Sequence, residues 1–495
     1  MNPVETLLLR HIAAGRGART ALVDHERALA YAELTKAARD HAGALAAAGV
    51  RRGCRALVIG DDTADTVTAV LGMWWYGCVP VVLSPMLHDT EIAFVARDCA
   101  AEYAESPLPK ERRDTLGEAL RPLAVREPGA TRAADAGPPA PFPPDAEALI
   151  QYTSGSTGQP RGVRHGMAGL LAVLDGFGAV LALTPDDTVL STAKLSFGYG
   201  FGNSVLFPLA AGARSVLLTG PADPYTVITA VHQHRPTVLC AVPRLYAALL
   251  DTVARGTVLD PSSLHLAVAA GEHLPAELSA RAARSLGVPV VNGLGATEVL
   301  HIVLATDRHA PVHGSTGHPV PGVTATVRDD DGRPLPAGAH GRLHIRSASA
   351  ALGYVDRPDA SARTFADGGV YTGDIAYRTE AGDFRHVCRA DDLLNLGGFK
   401  VAPAEIEAKL RGTEGIADLV VVAGRDATGL EQAVVHAVPV DGVTPEQARR
   451  AVARAIRANL PPHKRPSRVE VLAKLPTTST GKLARHLLRV PQEQR

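Results

Sequence analysis

The strongest constraint on the fold is an alternation of helical patterns with short apolar runs. "YAELTKAARDHAGALAAAGV" carries a helical apolar period and stops at Gly49, and "RALVIG" and "CVPVVLSP" follow as runs of strand length. Strands alternating with helices predict a parallel α/β sheet. The alternation continues over residues 150–330, where "PTVLCAVPRLYAALL" and "LHLAVAAGEHLP" read as strand-then-helix or strand-then-turn units. From about residue 320, "TATVRDDDGRPLPAGAHGRLHIRS" changes texture. Its alternation, broken by Asp-Gly and Pro-Gly turns, predicts antiparallel strands. After Arg389, "ADDLLNLGGFKVAPAEIEAKL" opens a further unit of about a hundred residues, the size of a small domain. The expected class is α/β. A large N-terminal domain, residues 1–389, holds layered α/β sheets plus a small β region; a small α+β C-terminal domain spans residues 390–495. "EPGATRAADAGPPAPFPPD", residues 127–145, is read as a surface insertion, because "AEALIQYTSG" directly after it is a strand running into a loop. No repeat of solenoid period is present.

The chain has 495 residues, 46% of them hydrophobic, with 51 Lys+Arg against 51 Asp+Glu. This balance gives no reason to expect a nucleic-acid partner. The 4% aromatic content argues against a stacking platform for single strands. Cys54, Cys78, Cys99, Cys240 and Cys388 include no Cys-x-x-Cys pair. Their odd count and wide spacing fit reduced thiols in cytoplasm rather than a disulfide framework or a zinc site. The N-terminus reads as a helix start, not a secretion signal. "AVLGMWWYGCVPVVL" is too short and interrupted to cross a membrane.

"YTSGSTGQPRG", residues 152–162, packs no core. It offers backbone N–H groups, hydroxyls and a cation, which suit a loop that holds phosphate oxygens; a flexible linker is the plainer alternative. No Gly-Lys-Ser/Thr closes it, so it is not a Walker A loop. Four further stretches follow in order: "NGLGATE" at 292–298, "YTGD" at 371–374, "CRADD" at 388–392 and "TSTGK" ending at Lys482. Taken singly, Glu298 is a solvated carboxylate, Asp374 a turn cap and Lys482 a surface lysine. Ser479 to Lys482 also matches the Ser-x-x-Lys of β-lactamases, without the companion motifs. "GYGFG", with Gly198, Gly200 and Gly202, is not a dinucleotide fingerprint.

The five stretches in this order resemble the acyl- and aryl-adenylating (AMP-forming) enzyme superfamily over nearly the whole chain. "AKLSFGYGFGN" (193–203), "GLGATEVLHI" (293–302) and, more weakly, "PVVLSPML" are similar to the benzoate-CoA ligase branch. The resemblance implies ATP, Mg²⁺ and coenzyme A (or carrier-protein phosphopantetheine) as cofactors. It implies a first step in which the acid attacks the α-phosphorus of ATP and releases pyrophosphate, where positioning and charge neutralisation dominate. Thr153, Ser154, Gly155, Ser156, Thr157 and Gly158 then hold the β- and γ-phosphates. Glu298 holds Mg²⁺, and Thr297 contacts the α-phosphate. Lys482 bridges the carboxylate and the α-phosphate. Asp374 takes the ribose hydroxyls and Arg389 the ribose or phosphate edge. Gly271, Glu272, Asn292 and Gly293 border the adenine. The family's loop usually ends Pro-Lys-Gly; here Arg161 keeps the charge and changes the reach.

The resemblance further implies a mobile C-terminal domain that turns about Asp391. One orientation delivers Lys482. The other brings Gly397 and Gly398 to the site, leaving space for a pantetheine arm; an ordinary glycine turn is the alternative there. Lys194, Gly198, Tyr199, Gly295, His301 and Ile302 match aryl-pocket positions, with His301 also a candidate catalytic group; a lone histidine in an apolar run is otherwise a packed core residue. Benzoate-type relatives tend to have alanine where Gly198 stands. A lost methyl predicts a slightly larger pocket, suited to a substituted benzoate or arylacrylate. The expected activity is aryl-CoA ligation. The alternatives are transfer to a separate acyl carrier protein, adenylation of another small acid such as nitrite for transfer to an aromatic amine, and a catalytically dead ATP sensor, against which Glu298, Asp374, Arg389 and Lys482 weigh. Lys464 and Arg465 are candidates to meet the CoA phosphate or an acidic carrier surface. The expected chain is a cytoplasmic monomer or homodimer with no membrane or nucleic-acid partner.

Overall fold

The parallel sheet starts from two strands, Arg55–Ile59 and Val79–Leu83, paired in register. The helix that crosses between them, Ala64–Tyr76, is buried at every residue but Asp65. Thr63 Oγ1 caps it by accepting the Thr66 N–H (3.2 Å), and Gly77 ends it at φ +102°, a conformation glycine adopts without strain. The computed structural model describes residues 1–131, 134–153, 160–396, 399–425, 431–477 and 483–489.

Two large sheets dominate, of nine and seven strands among the described residues. The seven-stranded sheet runs Gly353–Tyr354, Arg161–Gly166, Glu147–Thr153, Val79–Leu83, Arg55–Ile59, Tyr103–Glu105, Val125–Arg126. The nine-stranded sheet carries the parallel neighbours Val238–Ala241, Leu266–Ala270 and Val290–Gly295, then antiparallel Ile302–Ala305. The main core fills the space between the sheets. At its centre Trp74 donates Nε1–H to the Ala148 carbonyl (2.7 Å) and sets its ring edge-on to Phe201 (5.8 Å). Helices Pro224–His234, Pro243–Ala254 and Ala276–Leu286 cover the other face of the larger sheet.

Strands Thr324–Arg328, Gly341–Arg346, Val370–Arg378 and Phe384–Arg389 form the expected antiparallel sheet. The small C-terminal domain is α+β. Strands Ile416–Arg425, Glu431–Pro439 and Arg468–Val471 pack on helices Pro403–Leu410 and Pro445–Asn459 around a core that includes Leu394, Ile406, Val421, Val435 and Val452. The α/β class, with its large N-terminal and small C-terminal domain, is therefore as the sequence predicts.

The proline-rich segment differs from the expected surface insertion. Phe142 and Ala140 are buried, and Ala134, Ala140 and Phe142 donate N–H groups to the Gly43, Trp75 and Met1 carbonyls. It is a strap closing the N-terminal helices, and low apolar content hides that in the sequence. All five cysteines are free and buried. No helix of the described residues is long and apolar enough to cross a membrane.

Candidate active site

The phosphate-loop candidate grows out of one hairpin. Thr153 and Arg161 are the last register pair of strands Glu147–Thr153 and Arg161–Gly166, so the loop's two ends are fixed by the sheet. Ser154, Gly155, Ser156, Thr157 and Gly158 lie outside the described residues. The short strand Gly353–Tyr354 pairs with Arg161–Gly166 and brings Tyr354 beside the hairpin. The Arg161 guanidinium sits 5.9 Å from the Tyr354 ring centroid. Tyr354 Oη donates to Glu298 Oε1 at 2.6 Å. Burial, then the adjacent Glu298 carboxylate, pushes the Tyr354 phenol upward, so it stays a donor at neutral pH.

Glu298 and the pocket wall share one turn. Thr297–Val299 is a single 3₁₀ turn, and the His301 N–H donates back to the Val299 carbonyl (2.8 Å) with Leu300 between them at φ 67°, ψ −49°. This γ-turn conformation is rare for a branched residue and stores strain. It aims the Leu300 carbonyl at Gly198, where a Cβ would overlap it. Likewise a Cβ on Gly295 would overlap the His301 carbonyl. The extra room expected at Gly198 is therefore absent: a backbone carbonyl occupies the space of the missing methyl.

The nucleotide-edge candidates gather at the carboxyl ends of the parallel strands, where α/β sheets bind ligands. Ala270 and Gly293 are register partners. Gly271 follows at φ +89°, and Glu272 accepts the Arg244 N–H at the start of helix Pro243–Ala254 (3.1 Å). Asn292 Nδ2 donates to the Ser315 carbonyl (2.7 Å). Opposite, Asp374 and Arg389 are register partners, and Arg389 Nη1 donates to Asp374 Oδ1 (3.1 Å) and the Thr372 carbonyl (2.8 Å). His386 Nε2 lies 3.3 Å from the same carboxylate oxygen. Burial alone would raise the Asp374 carboxyl; His386, Arg389 and Thr372 more than offset it and hold it below the usual carboxylate range. Burial opposes the Arg389 charge, but Asp374 and then Glu298 hold it on.

Tyr199 Oη donates to the Val268 carbonyl (3.1 Å). His301, 3% exposed, stacks on Phe177 (5.3 Å) and meets Phe207 edge-on (4.7 Å) and Tyr199 at 5.7 Å. Burial pushes its pKa down to about 3. Burial favours the neutral imidazole, and its contacts are those of an aromatic packing residue. Ile302 is buried beside Gly293. Lys194 is a correction. Its Nζ donates to Asp61 Oδ1 (2.9 Å) and the Leu218 carbonyl (2.7 Å), so it pins the pocket segment to the sheet rather than lining the pocket.

Asp391 lies in the 3₁₀ turn Ala390–Asp392, where Arg489 donates to its carbonyl (2.8 Å). Gly397, Gly398 and Lys482 lie outside the described residues. Lys464 is paired with Glu405, and Arg465 donates to the Leu460 and Arg457 carbonyls (2.9 and 3.1 Å), so both basic groups named for a partner are engaged within their own domain. Arg244 and Asp418 join the two domains at 3.2 Å. Sequence reasoning missed Tyr354 and His386. Neither lies in a motif; both act through register with strands that do.

Among the described residues no cluster of three or more His, Cys, Asp or Glu side chains could hold a metal ion. Glu298 keeps Oε2 free of hydrogen bonds to described groups, and one carboxylate completed by phosphates and waters is how Mg²⁺ is commonly held.

Known proteins resemble this chain in both sequence and fold. The AMP-binding enzyme family matches residues 9–355, and its C-terminal domain matches residues 405–482. The chain is 32% identical to a 4-hydroxybenzoate–CoA/benzoate–CoA ligase of Rhodopseudomonas palustris, over 97% of this chain and 92% of that one. It is 31% identical to a 3-hydroxybenzoate–CoA/4-hydroxybenzoate–CoA ligase of Thauera aromatica, over 99% and 97%. The structure of a benzoate CoA ligase from Burkholderia xenovorans superimposes with a TM-score of 0.89 at 30% identity, covering 99% of this chain and all of the other. Matched in both domains and along its whole length, the chain belongs to the AMP-binding enzymes.

Proposed function

We propose that this enzyme activates an aromatic carboxylic acid with ATP as an acyl adenylate and transfers the acyl group to the thiol of coenzyme A. The observation that carries the reading is the shared turn at residues 295–302. It presents Glu298 to the charged end of the cleft and His301 to an aromatic, uncharged end, about one turn apart. A triphosphate and an apolar acid need that juxtaposition.

Glu298 supplies the carboxylate that holds Mg²⁺ on the phosphates, and bound Mg²⁺ neutralises charge on the transferring group. Tyr354 orients Glu298 by its 2.6 Å hydrogen bond. Thr153 to Gly158 and Arg161 hold the leaving pyrophosphate. Thr297 contacts the α-phosphate, and Asp374 accepts from the ribose hydroxyls while Arg389 and His386 keep it ionised. Gly271, Glu272, Asn292 and Gly293 form the adenine edge. Tyr199, His301 and Ile302 wall the aryl ring, and Gly198 and Gly295 let the backbones close round it.

Lys482 bridges the acid and the α-phosphate in one orientation of the C-terminal domain. Gly397 and Gly398 admit the pantetheine arm in the other. The division falls at Arg389/Ala390, with Asp391 as hinge; the Arg244–Asp418 pair is one contact the turn must break.

Mass spectrometry of products formed with ATP, Mg²⁺ and a panel of aryl acids, each with and without CoA, tests the reading. Aryl-CoA formation is expected. AMP, pyrophosphate and aryl adenylate without any aryl-CoA would move the acceptor to a carrier protein or an amine.

A further inference from the structure

The aryl end of the cleft holds a polar group that the mechanism above does not use. Gln151 stands in strand Glu147–Thr153, two residues before the phosphate loop, and is 1% exposed. Neither Oε1 nor Nε2 has a hydrogen-bond partner among the described residues. Its neighbours Ile150 and Tyr152 face the opposite side of the sheet and pack in a different core, so the strand's alternation turns Gln151 toward the space between the two large sheets. There Oε1 lies 3.1 Å from the position a Cβ on Gly198 would take. Gly198 adjoins Tyr199, and the Leu300 carbonyl closes the same corner. Other buried polar atoms without a hydrogen-bond partner among the described residues lie on the same segment, at Thr192 and Ser196.

Buried amides are nearly always hydrogen-bonded, and one left unpaired needs an explanation. An amide offers a carbonyl acceptor and two N–H donors, which complement a phenol hydroxyl or an aromatic amine. A benzoate ring without a substituent satisfies neither. An aliphatic side chain would serve such a ring better, since it has no polar group to strip of water.

We propose that Gln151 is a specificity-determining residue whose amide receives a hydrogen-bonding substituent, hydroxyl or amino, on the ring of the aromatic acid. This rests on the aryl-acid reading above and narrows it. The preferred substrate is a hydroxy- or aminobenzoate, not benzoate, and the selectivity comes from a hydrogen bond rather than from extra volume at Gly198. Sites built to bond a substrate hydroxyl reject the analogue that lacks it far more strongly than apolar pockets reject a missing methylene.

The first test uses the wild-type enzyme. kcat/KM for ATP-dependent activation is compared between hydroxy-, amino- and methyl-substituted benzoates at the ortho, meta and para positions, with benzoate as reference. At one ring position the hydroxyl or amino acid should exceed its methyl isostere by at least tenfold, mostly through KM. Gln151→Leu should cut that ratio tenfold or more, and Gln151→Asn should restore part of it. Thermal unfolding of Gln151→Leu should occur at or above the wild-type temperature, because an unpaired buried amide has been removed. Methyl isosteres accepted as well as hydroxyl and amino acids at every position would overturn the proposal. So would a Gln151→Leu variant that slows every acid by the same factor. If the wild type activates no aromatic acid at all, the aryl reading beneath the proposal fails first, and the two failures are told apart by that control.

Discussion

The two ends of the cleft are built on opposite principles. At the nucleotide end the polar groups are paired with one another: Tyr354 with Glu298, and Asp374 with Arg389 and His386. At the aryl end the wall is made of ring faces, glycine backbones in contact and an amide with no partner among the described residues. The first end is specified before any ligand arrives and suits a cofactor common to a whole family. The second leaves shape and one polar group to be completed by the substrate. Substitutions at the first should therefore damage all substrates alike; substitutions at the second should damage them unequally.

The largest expected effect is at the shared carboxylate. Glu298→Gln removes the charge proposed to hold Mg²⁺ and should lower adenylation by about 100- to 1,000-fold with every acid, the scale of losing one preorganised charge-stabilising group. Tyr354→Phe keeps the carboxylate and removes only its orienting hydrogen bond. It should weaken the apparent Mg²⁺ affinity by about 10- to 100-fold, as loss of an orienting partner does elsewhere. Steady-state rates against Mg²⁺ concentration separate the two: high Mg²⁺ should recover Tyr354→Phe and not Glu298→Gln. Recovery of both, or a loss confined to one acid, would break the division between the ends.

A smaller and unequal effect is expected at Gly198. Alanine there meets the Leu300 carbonyl, so the strained turn must shift. Overpacking of this kind costs about 1–3 kcal/mol. Gly198→Ala should lower the unfolding temperature and raise KM for the larger acids more than for benzoate, with KM for ATP nearly unchanged. A variant as stable as the wild type, with unchanged acid preference, would show that the corner holds the spare volume that sequence reasoning gave it.

That disagreement marks what a sequence can carry. The alternation of helix and strand gave the layered sheets, because period and turn chemistry are local. The ordered stretches singled out Glu298, Asp374 and Arg389, which the fold brings near one another, because each sits inside a short motif. Tyr354 and His386 were invisible, since their partners are 56 and 12 residues away and meet them only through strand pairing. Lys194 misled for the same reason: its partner Asp61 lies 133 residues earlier. Gly198 misled differently. A missing side chain reads as space in one dimension, whereas in three dimensions a neighbouring backbone had already filled it.

The smallest effect sharpens the comparison through pH. The His301 imidazole is buried among Phe177, Phe207 and Tyr199, and burial holds its pKa near 3, against an ordinary value of about 6.5. A group whose folded pKa is depressed binds fewer protons folded than unfolded. Its contribution to stability is complete above pH 6.5 and is lost progressively as pH falls toward 3. Asp374 is also depressed, but from the carboxylate range, so its share is lost only at still more acid pH than His301 begins to respond. Unfolding temperature should therefore fall from pH 6.5 to pH 4.5 through His301, through His165, which burial likewise holds near 3, and through His273, held near 4 by burial and the neighbouring His386, with Asp62, whose carboxyl burial pushes up to about 7, offsetting part of the fall. His301→Phe keeps the aromatic wall and removes one titrating group, so its unfolding temperature should fall less over that interval. KM for the aryl acid should stay flat between pH 6 and 8 in the wild type, because the wall does not change charge there. A wild-type KM that titrates near pH 6.5 and becomes flat in His301→Phe would mean that His301 is charged in the working enzyme. The aryl end would then be an electrostatic site like its counterpart.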